Sequence, residues 1–276
     1  MSAQLAVLGS INLDLVASVD AAPRRGETVL GSDLQRQPGG KGANQAIAAA
    51  RLGARVEMIG AVGDDNPGRE LLAVLQDSGV DTSRVQVLHG ASGVALIVVD
   101  STGENSIVVC PGAGMRIDAL SAGAALDSAV LAQLEVDMDV VEHVARQTTG
   151  PFFLNVSPVT DLSQGLRDRV DLFIVNEGEY EELAFLATAP RVALTLGAAG
   201  AVLLRQGRVV ARAKVPAERV VNTVGAGDAF AGALTVALLE SYSESDALEA
   251  ACRVGAAAVG DPKSQPTLRP LDYYAP

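Results

Sequence analysis

Short apolar runs alternate with Ala-, Leu- and Glu-rich stretches of helical pattern along most of the chain, and that alternation leaves few architectures open. The runs at 5–9, 56–61, 129–134, 152–156, 172–175 and 192–196 are apolar enough to be buried on both faces, as strands of a parallel sheet are. Between them, residues 42–52, 67–78, 138–148 and 177–186 have helix-forming composition. Helical crossovers between parallel strands cover both faces of a sheet. The expected class is therefore α/β, a mostly parallel sheet with helices on both faces. Residues 28–37, 93–100 and 105–109 break the rhythm, because they read as strands with no helix between them, and Ser101-Thr102-Gly103-Glu104 reads as a hairpin turn. They predict a small antiparallel β-sheet lid, formed by insertions at about 15–37 and 93–109 into one domain spanning 1–276. The competing reading makes them edge strands of the main sheet. The Pro-rich stretch 262–276 is expected to wrap the surface as coil.

Composition narrows the function. The chain has 276 residues and a formal charge of −12, which argues against a nucleic-acid backbone as partner. Aromatic residues make up 3% and Trp is absent, so there are no stacking platforms for single strands. Cys110 and Cys252 lie far apart, and His89 and His143 have no metal-ligand spacing, so neither a disulfide framework nor a zinc site is expected. No apolar run approaches the roughly 20 residues that span a bilayer, and the chain starts in a strand-like run without a basic segment. A cytoplasmic protein that handles small molecules, with no membrane role, is the expectation.

Four local constellations can carry chemistry. Pro38-Gly39-Gly40-Lys41-Gly42-Ala43-Asn44 precedes an Ala-rich helix; its glycines let backbone amides approach a ligand, and Lys41 and Asn44 add donors for hydroxyl or phosphate oxygens. It is not a P-loop, since Gly42 rather than Ser or Thr follows Lys41, and it reads equally as a strand-to-helix turn with a solvated Lys. Asn222-Thr223-Val224-Gly225-Ala226-Gly227-Asp228 opens a helix of small residues. Its amides at Gly225, Ala226 and Gly227 can hold charge on a transferring phosphoryl group, with Asp228 beside them as general base. Asp228 is otherwise only a first-turn acid complementing the helix dipole. Asn176-Glu177-Gly178-Glu179 ends a strand where an open α/β sheet binds ligands, and Glu179 can hold hydrated Mg²⁺ through water; helix capping explains the same residues. Thr195, Gly197 and Gly200 mark a strand end where a nucleotide can pack, or an ordinary turn. Asn12 and Asp14 point the same way in an extended backbone, and with Glu135 they can line a pocket for a polyhydroxylated ligand.

Taken together and in this order, the pieces resemble the ribokinase (PfkB) family of carbohydrate kinases, from about residue 5 to residue 270. The Gly-Gly-Lys-Gly-Ala-Asn and Gly-Ala-Gly-Asp segments stand at the separation expected of that family. Gly9-Ser10-Ile11-Asn12-Leu13-Asp14, Gly26-Glu27-Thr28-Val29, Gly93-Val94-Ala95-Leu96-Ile97 and Gln133-Leu134-Glu135 resemble its ribose-side segments. The resemblance implies a ribokinase-like fold with a β-sheet lid that forms a homodimer contact, and transfer of the ATP γ-phosphoryl group to a sugar hydroxymethyl, D-ribose being favoured. It makes Asp228 the catalytic base and Gly225, Ala226 and Gly227 the anion hole. Asn12, Asp14, Gly39, Gly40, Lys41, Asn44 and Glu135 fall on the sugar side. Asn176 and Glu179 correspond to the Mg²⁺ and phosphate element, and Thr195, Gly197 and Gly200 to the nucleotide side.

Three departures stand against this pattern. Asn222 replaces an Asp that the family associates with bound K⁺, the segment 258–267 is shorter than usual and contains Pro262, and both features argue against K⁺ activation. Ala187-Thr188-Ala189-Pro190 stands where a further helix is normal. Another pentose, a ketohexose or a nucleoside remains open as acceptor, as does a non-catalytic sugar sensor on the same scaffold. A dehydrogenase is disfavoured, because the glycine pattern of a dinucleotide site is missing after the first strand.

Overall fold

A computed structural model describes residues 2–32, 34–102, 105–119, 127–216 and 219–276. Among these the elements run β1 (Gln4–Leu8), β2 (Asn12–Ser18), β3 (Gln35–Gly39), α1 (Lys41–Arg51), β4 (Arg55–Gly63), α2 (Asn66–Asp77), β5 (Asp81–Leu88), β6 (Gly93–Val99) and β7 (Asn105–Cys110). They continue with β8 (Ala129–Ala132), α3 (Met138–Gln147), β9 (Phe152–Asn155), α4 (Gln164–Arg169), β10 (Leu172–Asn176), α5 (Glu177–Glu182), β11 (Val192–Thr195), β12 (Ala201–Arg205), β13 (Arg208–Ala213), α6 (Ala226–Leu239) and α7 (Glu244–Val259). The main sheet has the order β13-β12-β11-β10-β9-β8-β1-β4-β5 and is parallel from β11 to β5, with β12 and β13 antiparallel at one edge.

The apolar runs behave as their composition demands. In β1, Leu5 and Val7 face a core shared with α1, α6 and α7, while Ala6 and Leu8 face a second core with α3 on the opposite side. All four are essentially inaccessible to water. Burying such a strand on both faces contributes about 1.5–3 kcal/mol per Leu or Val side chain, and it leaves the carboxyl ends of the parallel strands as the surface where polar groups collect.

A second sheet, β3-β2-β6-β7, sits apart from the first. This corrects the sequence reading in two ways. The strand expected at 28–37 is β3, at 35–39, with coil before it, where Leu30 and Leu34 are exposed and build no buried face. Its partner β2 is not among the expected strands, although Asn12 and Asp14 are expected in an extended backbone and the first insertion starts at about 15. The sheet is also not purely antiparallel: β2 and β6 pair in parallel from Asn12 opposite Gly93 to Ser18 opposite Val99. Both strands follow directly from carboxyl ends of parallel main-sheet strands, β1 and β5, and so enter the second sheet in the same direction. Gly103 and Glu104 of the expected hairpin turn lie outside the described residues.

Two further expectations change. The helix expected at 177–186 ends at Glu182, and a short 3₁₀ turn, Ala184–Thr188, replaces its last part ahead of Pro190. The C-terminal stretch does not simply coat the surface, because Ser264, Gln265, Leu271 and Tyr274 are buried. Arg51 Nη1 at the end of α1 donates to the carbonyls of Gln265 (2.7 Å) and Pro266 (2.6 Å) and holds this segment inward. Among the described residues no helix is long and apolar enough to cross a membrane.

Candidate active site

The chain crosses from β1 to β2, from β3 to α1 and from β10 to α5 at one end of the main sheet, and a cavity of about 300 Å³ opens there. Its floor is made by strand ends and helix starts. Ala95, Ile97, Ile107 and Val109 of the second sheet line it as well, so that sheet gives the cavity an apolar wall.

The approach of α1 explains the glycine run. Gly40, with φ +90°, turns the chain from β3 into α1, and a Cβ there would lie 2.8 Å from the Asn12 nitrogen and the Ser10 carbonyl oxygen. Gly42 in the first turn lies against the backbone of Gly9. The β1 end and α1 are thereby brought into direct contact, and Lys41 and Asn44 line the cavity. Gly39 lies outside the lining, pressed against the Asp14 carboxylate.

Asn12 and Asp14, two residues apart on β2, face the same cavity, as alternation predicts. Glu135, beyond the end of β8, joins them; its Oε2 accepts from Ser10 Oγ (2.5 Å) and from the Lys41 backbone amide (3.2 Å). Burial, followed by the charges of Glu135 and Asp228, pushes the Asp14 carboxyl up to about 7. Lys41 responds oppositely: burial works against its ammonium, but the charges of Asp228, Glu135 and Glu179 outweigh it and raise its pKa. Acceptor-rich carboxylates beside amides and one ammonium suit a ligand carrying many hydroxyls.

Gly225, with φ +82°, caps α6, and a Cβ there would strike the Ser264 carbonyl oxygen at 2.0 Å. The first amides of α6 have no intrahelical acceptor, so the helix presents them at its positive end. Gly225, Gly227 and Asp228 line the cavity, and a Cβ at Gly227 would meet nothing within 4 Å. Packing therefore does not require glycine at 227, which borders open space at the cavity. Ala226 is outside the lining. Asp228 itself is buried, with Oδ2 accepting from Asn44 Nδ2 and Oδ1 from Gln45 Nε2, both at 3.0 Å.

Asn176 and Glu179 form a reciprocal capping box at the start of α5, Asn176 Oδ1 accepting from the Glu179 amide (2.9 Å) and Glu179 Oε2 from the Asn176 amide (2.8 Å). Both also line the cavity, so capping and a role at the site coexist. Thr195 lines it too, its hydroxyl donating to the Val175 carbonyl (3.3 Å). Gly197 and Gly200 lie outside the lining, in the turn between β11 and β12. Among the described residues no three His, Cys, Asp or Glu side chains are grouped to hold a metal ion. A divalent ion here would be held chiefly by water and phosphate oxygens, with Glu179 reaching it through water. At Asn222 the Nδ2 donates to the Pro262 carbonyl (3.1 Å) and the Oδ1 accepts from the Val224 amide (3.0 Å). A neutral amide in this position supplies no anionic oxygen.

A family model described as pfkB family carbohydrate kinase matches residues 2–270. The chain belongs to this family. A ribokinase of Bacillus subtilis is 39% identical over 272 residues, with 92% of each chain covered. A deoxyribokinase of Salmonella typhi is 31% identical over 302 aligned positions, covering 98% of both. Among solved structures, a ribokinase of Arabidopsis thaliana complexed with ribose and ATP superimposes with a TM-score of 0.85 at 28% identity, covering 99% of this chain and 98% of that one. The fold is thus ribokinase-like, and the protein is a carbohydrate kinase of the pfkB family.

Five polar residues at or beneath this pfkB site are not among the expected site residues, and only Gln133 falls in a segment quoted above. Gln45 and Gln133 are buried within the fold; Asn155 at the end of β9 and Ser157 just past it line the cavity. Gln265 reaches in from the C-terminal stretch to donate to Asn44 Oδ1 (3.1 Å). The signal available for Asn155 was its place at a strand's carboxyl end, where Asn176 was noticed.

Proposed function

We propose that this carbohydrate kinase transfers the γ-phosphoryl group of ATP to the 5-hydroxyl of D-ribose, with Asp228 as general base. The observation that carries the reading is the meeting of two chemistries in one cavity: a carboxylate-and-amide pocket at Asn12, Asp14, Asn44 and Glu135, and an anion cradle at Gly225 and Gly227, with Asp228 between them. The names of the relatives support ribose and ATP as the two substrates.

In this reading the sugar's hydroxyls donate to Asp14 and Glu135, while Lys41 and Asn44 donate to its oxygens. The 5-hydroxyl gives its proton to Asp228 as its oxygen bonds to the γ-phosphorus, and the bond to the bridging oxygen breaks to release ADP. Amides at the start of α6, with Lys41, hold the charge on the phosphoryl oxygens. Glu179 would reach a bound Mg²⁺ through water, and the ion would supply further neutralisation of phosphate charge. The second sheet acts as a lid whose apolar wall keeps out water, the competing acceptor. The exposed Ile107, Val108 and Val109 on its edge strand β7 support a second copy docking there. The Asn222 amide supports turnover that needs no K⁺.

The experiment is an acceptor panel of D-ribose, 2-deoxyribose, fructose and a nucleoside with ATP and Mg²⁺, the products identified by mass spectrometry and NMR. The expected result is ribose 5-phosphate formed with the highest kcat/KM, unchanged when K⁺ replaces a large organic cation. Preference for 2-deoxyribose or a nucleoside would move the substrate assignment. Sugar binding without ADP release would overturn the kinase reading in favour of a sensor.

A further inference from the structure

Helix α1 is built from small residues, Lys-Gly-Ala-Asn-Gln-Ala-Ile-Ala-Ala-Ala-Arg, yet at its centre stands Gln45, whose side chain is completely buried. A buried amide is costly unless its hydrogen bonds are made. Here they are made to an unusual set of partners. Nε2 donates to Asp228 Oδ1 and to Asn155 Oδ1, each at 3.0 Å, and Oε1 accepts from Gln133 Nε2 at 2.6 Å. Asn155 in turn donates through Nδ2 to the Ile174 carbonyl of β10 at 3.0 Å. The chain of amides therefore ties one oxygen of Asp228 to the ends of β8 and β9 and to the middle of β10.

The neighbouring Asn44 holds the other oxygen. Consecutive helix residues project about 100° apart, so the pair grips the carboxylate from two sides and fixes both its position and the plane of its oxygens. Each carboxylate oxygen has two acceptor directions, and one hydrogen bond on each leaves capacity to take a proton from a ligand in the cavity. An apolar residue at 45 would pack as well in this helix, but it would leave Asp228 Oδ1 without its inner donor and free the carboxylate to turn about its χ2.

We infer that Gln45 is a positioning residue for phosphoryl transfer, acting through Asp228 and anchored by Gln133 and Asn155. The inference rests on the reading of Asp228 as the base. Since Gln45 lies beneath the cavity and is absent from its lining, it sets the rate of the chemical step and not substrate affinity.

The test is a double-mutant cycle on kcat with D-ribose and ATP, using Gln45→Met, Asp228→Asn and the pair, with circular dichroism melts as the check on folding. Misplacing a catalytic group by about an ångström costs about 100-fold, so Gln45→Met is expected to lower kcat by about 10- to 100-fold while both KM values stay within about 3-fold. In the Asp228→Asn background the same change is expected to cost less than about 3-fold, because there is no base left to position. Gln45→Ala removes the donor without adding a charge; it serves if Gln45→Met fails to fold, with the same expectation. An equal loss in both backgrounds, or no loss, overturns the inference while leaving Asp228 as base. A wild-type kcat for Asp228→Asn overturns the base assignment, and the inference with it.

Discussion

Asp14 is an acid buried among acids, and this has a measurable consequence for stability. Its carboxyl, near 3.8 when unperturbed, is pushed up to about 7 by burial first and then by Glu135 and Asp228. Between these values the folded protein keeps a proton that the unfolded chain gives up. The associated stability is therefore fully present below about pH 4 and is lost as pH rises through about 7. Asp14→Asn is neutral throughout and escapes the loss. For the ligand-free protein, thermal melts should show the variant level with wild type at pH 4 and several degrees more stable at pH 8; a difference that does not change with pH would contradict the assigned environment. Which residues the sequence disclosed also follows from their physical setting. Asp228, Lys41 and Asn44 stand in glycine-rich turns where side chains near a ligand concentrate. Gln45 and Gln133 meet across 88 positions, and Asn44 and Gln265 across 221. A buried amide inside a helix looks, in one dimension, like any polar surface residue, and only the folded chain reveals its partners.

The N-terminus of α6 combines two glycines of opposite meaning. At Gly225 the positive φ and the Ser264 carbonyl require the residue for backbone reasons. At Gly227 nothing does, since a Cβ would enter open space. Gly227→Ala should therefore leave the melting temperature unchanged or slightly raised, as Gly-to-Ala exchanges in helices contribute about 0.4–1 kcal/mol. It should still reduce kcat about 10- to 100-fold by crowding the position of the phosphoryl group. Full activity would show that the anion does not approach there, and a large loss of stability would show that packing needs the glycine after all. Six strands of the main sheet were legible because burial on both faces writes them as continuous apolar runs, as in β1, β9 and β10, whereas β12 and the less buried β5 and β13 were not expected. The extent of β2 was not, because Asn12 and Asp14 on its cavity face interrupt the apolar pattern; only their shared direction in an extended backbone was legible.

At the scale of the whole molecule, the two sheets divide the work: the parallel sheet fixes where the helix ends point, and the smaller sheet supplies an apolar wall of Ile97, Ile107 and Val109. The alternation of strands and helices made the first legible. The parallel pairing of β2 with β6 depends on partners 81 positions apart at Asn12 and Gly93, which local pattern does not encode. Asp228 is proposed as the base with which this arrangement transfers a phosphoryl group. The measurement to make is ADP formation from ATP with saturating D-ribose and Mg²⁺ in wild type and Asp228→Asn, with ribose affinity measured by calorimetry. The variant is expected to bind ribose within a few-fold of wild type while kcat falls about 10²- to 10⁴-fold; turnover preserved in a folded Asp228→Asn protein would overturn the assignment of Asp228 as base.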